Sequence, residues 1–554
     1  MAGSVSSSQE LRRRAPIALL GLLAVAAYGV IGIFTLFNAQ TFTAEVSALV
    51  RGWWYATGAV TPYTPADVPA DTPLYFYELG YWQRLVGAGH LPGRMLSVLL
   101  GACSGLLLFS ICRRLTANTL VAAAAAFIFL ATPSTAFYFA TATPMASVAL
   151  LHVLALFLIV HGMGRPQPLA SAAMGLLCAA IYFMRQDMLA GIVVLMPVYV
   201  AAVGRERPLQ ALIMIATFAA ATALIVFALP EKFQSVALNL PLAGPMLGDA
   251  GLLGPDYTLV SRGTHDLASS GAAFDSANLR GFLESFVLPN AGTILLALVL
   301  FFAATGPLRV LWAVPLYFLW LALAHYLNYT TKGACDICMQ PAAPTFAAVG
   351  ALAAALTLAT SGRWAKRNGL GPATAVVIGA IGAVGLNTFA PMLATHPAAK
   401  SFPRSMLDGL TATPELEEIP ELTQWVSGQL KTKEPVLVIH GLGRADVAAL
   451  PYAVAATGHT MPAESLDLKG TRRTINQSLV GEMRASVRAA VEEDGLWSDE
   501  ILLRWIDRDY NIILMQDDSA LAALKKEIEA RFDPADMTRY RGRAIVLYTR
   551  RPAS

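Results

Sequence analysis

Between two strongly apolar stretches lies a polar segment of about 50 residues in which acids and aromatic side chains crowd together. It reads TFTAEVSALVRGWWYATG, then PADTPLYFYELGYW, then GRMLSVLLG. A carboxylate at such a place can take the proton of an attacking hydroxyl or amine. Glu45 follows the first apolar run most closely and is the first candidate for that base; a solvated acid on an interfacial helix is the plainer alternative. Asp71 stands two residues before Pro73 and is the second, unless it only caps a turn or short helix. Asp67 reads as a loop acid. Tyr75, Tyr77, Tyr81 and Trp82, with Trp53 and Trp54 before them, would either stack on the ring of a bound substrate, line a groove for a lipid chain, or form the aromatic belt of a bilayer surface.

Cations are the complementary need wherever negative charge gathers on a leaving group in the transition state. Arg185 sits with Asp187 in a very short turn between apolar runs, where a guanidinium suits a phosphate and a mutual Arg–Asp pair is the structural alternative. Arg94 opens the second apolar run and either binds phosphate or snorkels to the surface; Lys332, in NYTTKGACDIC, is a third cation. Cys335 and Cys338 form the one close cysteine pair among five cysteines, favouring a small disulfide loop over free thiols in an oxidising compartment. Zinc would need two more ligands, and no second CxxC exists. Isolated acids such as Asp71, Asp187 and Asp266 are compatible with a divalent metal without specifying one, and no other cofactor is indicated.

These residues must be held by a membrane protein. The chain of 554 residues is 56% hydrophobic and 14% charged, with a mean hydropathy of +0.54. Apolar runs long enough to span a bilayer core number about eleven, near 16–38, 93–112, 117–133, 144–162, 169–184, 187–204, 209–229, 286–304, 309–328, 342–361 and 372–394. The first run continues to Phe37, too long for a signal h-region, and reads as an uncleaved anchor. Basic residues fall at alternate turns: Arg12 to Arg14, Arg113 and Arg114, Arg165, Arg205 and Arg207, Arg309, then Arg363, Lys366 and Arg367. That side is the cytoplasm by the positive-inside rule, so the N-terminus is cytoplasmic and the C-terminal region lies outside. A net charge of +3 is explained by these turns and points to no nucleic acid.

From about His396 the composition changes. PVLVIHGL, NIILMQDD and AIVLYTRR read as strands, while ADVAALPYAVAATG and SALAALKKEIEARF have helical periodicity. The expectation is a membrane domain over 1–395, with outer loops near 39–92 and 230–285, and a small extracytoplasmic α/β domain over 396–554. No GxSxG elbow accompanies His440-Gly441-Leu442-Gly443, and neither a Walker A motif nor a dinucleotide fingerprint occurs. Transporters show matched halves with polar sites at mid-membrane; here the polar groups gather at one face.

The order of motifs resembles the GT-C glycosyltransferases, in the group of protein mannosyltransferases and lipid A aminoarabinose transferases. Ala44-Glu45 stands where that family has an acidic pair, Asp71-Thr72-Pro73-Leu74-Tyr75-Phe76-Tyr77 resembles its Pro-Leu-Tyr-Tyr element, and Arg94-Met95-Leu96-Ser97 its Arg-Leu-Ser stretch. Met184-Arg185-Gln186-Asp187 and Cys338-Met339-Gln340-Pro341-Ala342-Ala343-Pro344 resemble two later elements. The resemblance implies a polytopic helical bundle of the inner membrane that moves a sugar from a polyprenyl-phosphate donor to an envelope glycan or lipid acceptor, by inversion. It implies Glu45 and Asp71 as catalytic acids, Arg185, Arg94 and Lys332 as donor-phosphate contacts, and Tyr75, Tyr77, Tyr81, Trp82, Asp187 and Gln340 as substrate contacts. Membrane lipids are its surroundings. Ala44 departs from the family's first acid, so a catalytically silent subunit that binds a lipid or a protein partner is the alternative.

Overall fold

The computed structural model describes residues 19–30, 32–33, 36, 43–58, 73–87, 90–162, 167–185, 188–203, 207–228, 280, 283–296, 343–367, 371–393, 415–430, 436–440, 464–467, 511–516, 522–540 and 543–551. The chain divides into two compact units: Met1–Leu36 with Ser97–Leu410, and Phe37–Leu96 with Thr411–Ser554.

The first unit is helical. Its elements are α1 (Leu19–Val30), the greater part of α4 (His90–Thr116), α5 (Thr119–Ala131), α6 (Pro133–Phe139), α7 (Met145–Gly162), α8 (Pro168–Met184), α9 (Leu189–Val203), α10 (Arg207–Ala228), α11 (Ala343–Arg367) and α12 (Pro372–Phe389). Helices α2 and α3 belong to the second unit. Among the described residues four helices are long and apolar enough to cross a membrane, or up to five if the bent pair α5–α6 counts as one span. The apolar runs expected between 93 and 229 and between 342 and 394 are helices; the run at 309–328 lies outside the described residues.

Local chemistry sets the breaks. Asn118 caps α5, its Oδ1 accepting from Leu120 N at 2.9 Å and Val121 N at 3.3 Å. Thr132 is extended and Pro133 opens α6, since proline cannot continue the hydrogen-bond ladder of α5; the two axes meet at 67°. Asn387 secures this break. Its Nδ2 donates to Thr132 Oγ1 at 3.1 Å and Thr293 Oγ1 at 2.7 Å, and its Oδ1 accepts from the backbone of Gly292 at 2.8 Å and Thr293 at 3.2 Å. Every hydrogen-bonding position of that amide is therefore used. Small residues bring helices close: a Cβ on Gly175 of α8 would lie 2.1 Å from Thr217 Oγ1 and 2.3 Å from Met214 O of α10.

The second unit contains α2 (Thr43–Thr57), α3 (Leu74–Val86) and a five-stranded sheet with its helices. These are α13 (Glu415–Gln429), β1 (Val436–His440), β2 (Glu464–Asp467), β3 (Ile512–Gln516), α14 (Ala522–Glu529), β4 (Phe532–Tyr540) and β5 (Arg543–Arg550). The strand order is β2-β1-β3-β5-β4, with β1 parallel to β2 and β3, and β5 antiparallel to β3 and β4. Leu437, Val438, Ile439, Ile513 and Leu514 are fully buried, as the unbroken apolar strands of a covered sheet require. Helix α13 is tied to β4 where Trp425 Nε1 donates to Asp536 Oδ2 at 3.2 Å and Gln429 bonds the same oxygen.

Candidate active site

The polar segment between the first two apolar runs folds as a helical hairpin. Helices α2 and α3 meet backbone to backbone: a Cβ on Gly80 would sit 1.9 Å from Gly52 O, and one on Gly52 2.8 Å from Phe76 O. Nothing larger than glycine fits that crossing. Two side chains of α3 then satisfy carbonyls of α2, Gln83 Nε2 donating to Leu49 O at 3.0 Å and Arg84 Nη1 to Ala56 O at 2.8 Å. The latter carbonyl is one that the end of α2 leaves without a helical partner. Trp82 Nε1 donates to Pro92 O at 2.7 Å, joining α3 to the first turn of α4.

Inside this frame Glu45 and Arg94 form a buried, two-pronged ion pair. Arg94 Nε donates to Glu45 Oε1 at 2.7 Å and Arg94 Nη2 to Oε2 at 2.8 Å, and neither side chain is exposed to solvent. A guanidinium matches a carboxylate in this fork geometry, and the two desolvated charges tolerate burial because each neutralises the other. Next to them Tyr75 is 2% exposed. Burial first, and then the negative charges of Glu78 and Glu45, hold its phenol well above the usual range, so the hydroxyl stays neutral. That hydroxyl has no hydrogen-bond partner among the described residues.

The hairpin's other aromatics separate by exposure. Tyr55 lies 5.4 Å from Tyr77, and Tyr77 stacks on Tyr81 at 6.2 Å; Tyr81 is 53% exposed, while Tyr77 and Trp82 are partly buried. The hairpin also contains a cation that the sequence did not single out. Arg51 is 8% exposed, with its guanidinium 4.9 Å from the centre of the Phe76 ring. The signal was the glycine pair, since Gly52 and Gly80 fix which faces of α2 and α3 turn inward.

Arg185 belongs to the other unit. It ends α8 in an extended conformation, partly buried, its backbone N–H donating to Ile181 O at 3.0 Å. The segment around Asp71, Asp187, Asp266, Lys332, Cys335, Cys338 and Gln340 lies outside the described residues. Among the described residues no group of three or more His, Cys, Asp or Glu side chains could hold a metal ion. Sequence reasoning also passed over His152, a neutral polar side chain inside an apolar run and now 1% exposed.

No protein-family model matches the sequence, and no curated protein does. Solved structures do match. ArnT from Cupriavidus metallidurans bound to undecaprenyl phosphate superposes with a TM-score of 0.57 at 13% identity, covering 95% of this chain and 97% of that one. Its apo state gives 0.56 at 13% identity over the same shares. The oligosaccharyltransferase of Archaeoglobus fulgidus in complex with Zn and sulfate gives 0.44 at 12% identity, covering 97% of this chain and 73% of that one. At 13% identity, nearly end-to-end coverage speaks for the course of the backbone and not for the chemistry. The described residues are mostly helical, include helices long and apolar enough to cross a membrane, and follow the fold of the two ArnT structures.

Proposed function

We propose that this protein is a membrane glycosyltransferase, moving a sugar from a polyprenyl-phosphate donor to an envelope glycan or lipid acceptor at the outer face of the cytoplasmic membrane. The observation that carries the reading is the match over 95% of the chain to ArnT, a protein solved with undecaprenyl phosphate bound. In the proposed reaction the acceptor oxygen or nitrogen attacks the anomeric carbon, and the bond from that carbon to the phosphate oxygen breaks with inversion. The acceptor's proton passes to a carboxylate, and the lipid phosphate leaves as an anion.

The buried pair divides the labour between the two acids. Both oxygens of Glu45 are occupied by Arg94, so Glu45 serves through its charge and by anchoring α2 to α4. Proton abstraction then falls to Asp71. Arg94 is likewise committed, which favours Arg185 and Lys332 for the donor phosphate. Tyr75, Tyr77, Tyr81, Trp82, Asp187 and Gln340 contact the substrates, Cys335 and Cys338 close a small disulfide loop, and a divalent metal is an optional participant. Residues 1–395 form the membrane domain and 396–554 an accessory domain outside the cytoplasm.

A second reading has its own support. Ala44 cannot act as an acid, and a carboxylate gripped at both oxygens is a poor base, so a silent subunit that binds a polyprenyl phosphate or a partner fits the same hairpin. Transfer of radiolabelled sugar from polyprenyl phosphate in membranes containing this chain separates the two. The transferase reading expects product; tight polyprenyl-phosphate binding with no product from any donor selects the silent subunit.

A further inference from the structure

The helical unit buries a set of hydroxyl and imidazole atoms that bond nothing among the described residues. Ser134 Oγ and Thr135 Oγ1 on α6, His152 Nε2 on α7, Tyr182 Oη on α8 and Thr345 Oγ1 on α11 have no hydrogen-bond partner. Their residues are between 0% and 4% exposed. A buried hydroxyl without a partner is costly, so its retention calls for a reason.

Topology brings the four hydroxyls to one end of the unit, with His152 deeper in the bundle. Thr132 at the end of α5 bonds Asn387 near the end of α12, so these two helices finish together. Helix α11 packs on α12 and reaches it through a connection of only a few residues, which sets the first turn of α11, with Thr345, at that same end. Helix α6 starts there, and α7 begins a short turn after α6. Helix α8 returns against α7, so its last turn, with Tyr182, arrives there too. His152 lies about 10 Å along α7 from Met145. The elements also touch: α6 packs on α7 and α11, and α7 on α8 and α11. Arg185, directly after α8, belongs to the same end. At the opposite end Ser171 Oγ bonds both Tyr199 Oη, at 2.9 Å, and Gln210, whose Nε2 alone bonds nothing among the described residues there.

The chemistry of the set is neutral and two-sided. His152 Nδ1 lies 2.9 Å from Val148 O, and a carbonyl can only accept, so the proton is on Nδ1 and Nε2 presents a bare lone pair. The hydroxyls both donate and accept. Among the described residues this unit buries no Asp, Glu, Lys or Arg side chain. An ammonium group buried among these atoms would lack a counter-charge, whereas the hydroxyls of an uncharged ring would find donors and acceptors.

We propose that this end of the helical unit binds an uncharged, polyhydroxylated ring, the glycose of the lipid-linked donor, through Ser134, Thr135, Tyr182, Thr345 and His152. The assignment rests on the glycosyl-transfer reading for the identity of the ligand and on the unpartnered atoms for the site.

The test uses the full-length protein in lipid nanodiscs with three probes: polyprenyl phosphate, the same lipid carrying a neutral hexose, and the same lipid carrying an amino-hexose. The neutral hexose lipid should bind more tightly than the bare lipid phosphate and than the amino-hexose lipid. Thr135→Val with Thr345→Val should reduce that advantage by about 10- to 100-fold, from two lost hydrogen bonds, with affinity for the bare lipid phosphate unchanged. Tyr182→Phe alone should act the same way at about 3- to 10-fold. The melting temperature should hold or rise, since each change removes an unsatisfied buried hydroxyl; a fall would mark the hydroxyls as structural and overturn the proposal. Retention of the full hexose advantage by the variants, or equal binding of the amino-hexose lipid, would also overturn it. A wild-type protein that shows the hexose advantage but transfers no sugar refutes the transferase reading and supports this site; transfer that is indifferent to the double variant refutes the site and supports the transferase.

Discussion

Glu45 and Arg94 are as deeply buried as Thr135 and Thr345, yet the first two satisfy each other through two hydrogen bonds while the second two bond nothing among the described residues. In the α2–α3 hairpin the buried charges are locked, and Gln83 and Arg84 add further ties to α2, while Tyr75 Oη and Gln83 Oε1 bond nothing among the described residues. At one end of the helical unit they are neutral, and beside the satisfied Asn387 network several, Thr135 and Thr345 among them, bond nothing among the described residues. Burial of a polar group thus serves two ends in one chain. The paired charges fix a geometry, and the unpaired hydroxyls hold bonding capacity in reserve for something that arrives from outside.

The comparison breaks first at the ion pair. Arg94→Met strands the Glu45 carboxylate in an apolar setting and should destabilise the protein by about 3–5 kcal/mol, measured by thermal or denaturant unfolding of the purified protein. Replacing both partners with apolar residues should cost much less than Arg94→Met alone, because no charge is left uncompensated. A mild effect of the single change would mean that the pair does not hold the hairpin. Asn387→Leu comes next. It leaves the N–H groups of Gly292 and Thr293 without their acceptor, and about 2–4 kcal/mol should be lost.

Gly80→Ala sharpens the picture of the hairpin. Its methyl group would meet the backbone of Gly52, and the two helices must part, at about 1–3 kcal/mol. A double-mutant cycle with Arg94→Met should show coupling, since parting α2 from α3 disturbs the ion pair as well. The smallest effect belongs to the open hydroxyls. Thr345→Val should change stability by less than about 0.5 kcal/mol or raise it slightly, since the variant loses no bond. A loss comparable to that of Arg94→Met would erase the distinction between the two regions.

Much of this was legible in the chain before any coordinates. Apolar runs of bilayer length show themselves by composition, and α4, α5, α7 to α10 and the pair α11–α12 follow them closely, whereas the short α6 falls between two runs. The strands in PVLVIHGL, NIILMQDD and AIVLYTRR were plain from their β-branched cores, and they became β1, β3 and β5. The crowding of acids and aromatics marked the hairpin as a place for chemistry. What could not be read was pairing. Glu45 and Arg94 are 49 residues apart, and only the Gly52–Gly80 crossing and the run of α4 bring them together. The polar end of the helical unit was hidden for another reason. Ser134, Thr135, Tyr182 and Thr345 are small or amphipathic residues that hydropathy barely registers, and their unpartnered state exists only once neighbouring helices have excluded water. Asn387 and His152 were visible as polar residues inside apolar runs, where the search for buried charge passed over neutral groups.

The central claim is glycosyl transfer in which Asp71 takes the proton and Glu45 acts through its pairing with Arg94. The most direct measurement is radiolabelled sugar transfer from polyprenyl phosphate in purified membranes, with wild type, Glu45→Gln and Asp71→Asn compared at equal amounts of folded protein. The account predicts that Asp71→Asn lowers the rate by about 10²–10⁴-fold with folding intact, while Glu45→Gln loses stability along with its activity. Full activity in Asp71→Asn, or a wild-type chain that transfers no sugar while binding polyprenyl phosphate tightly, would contradict it.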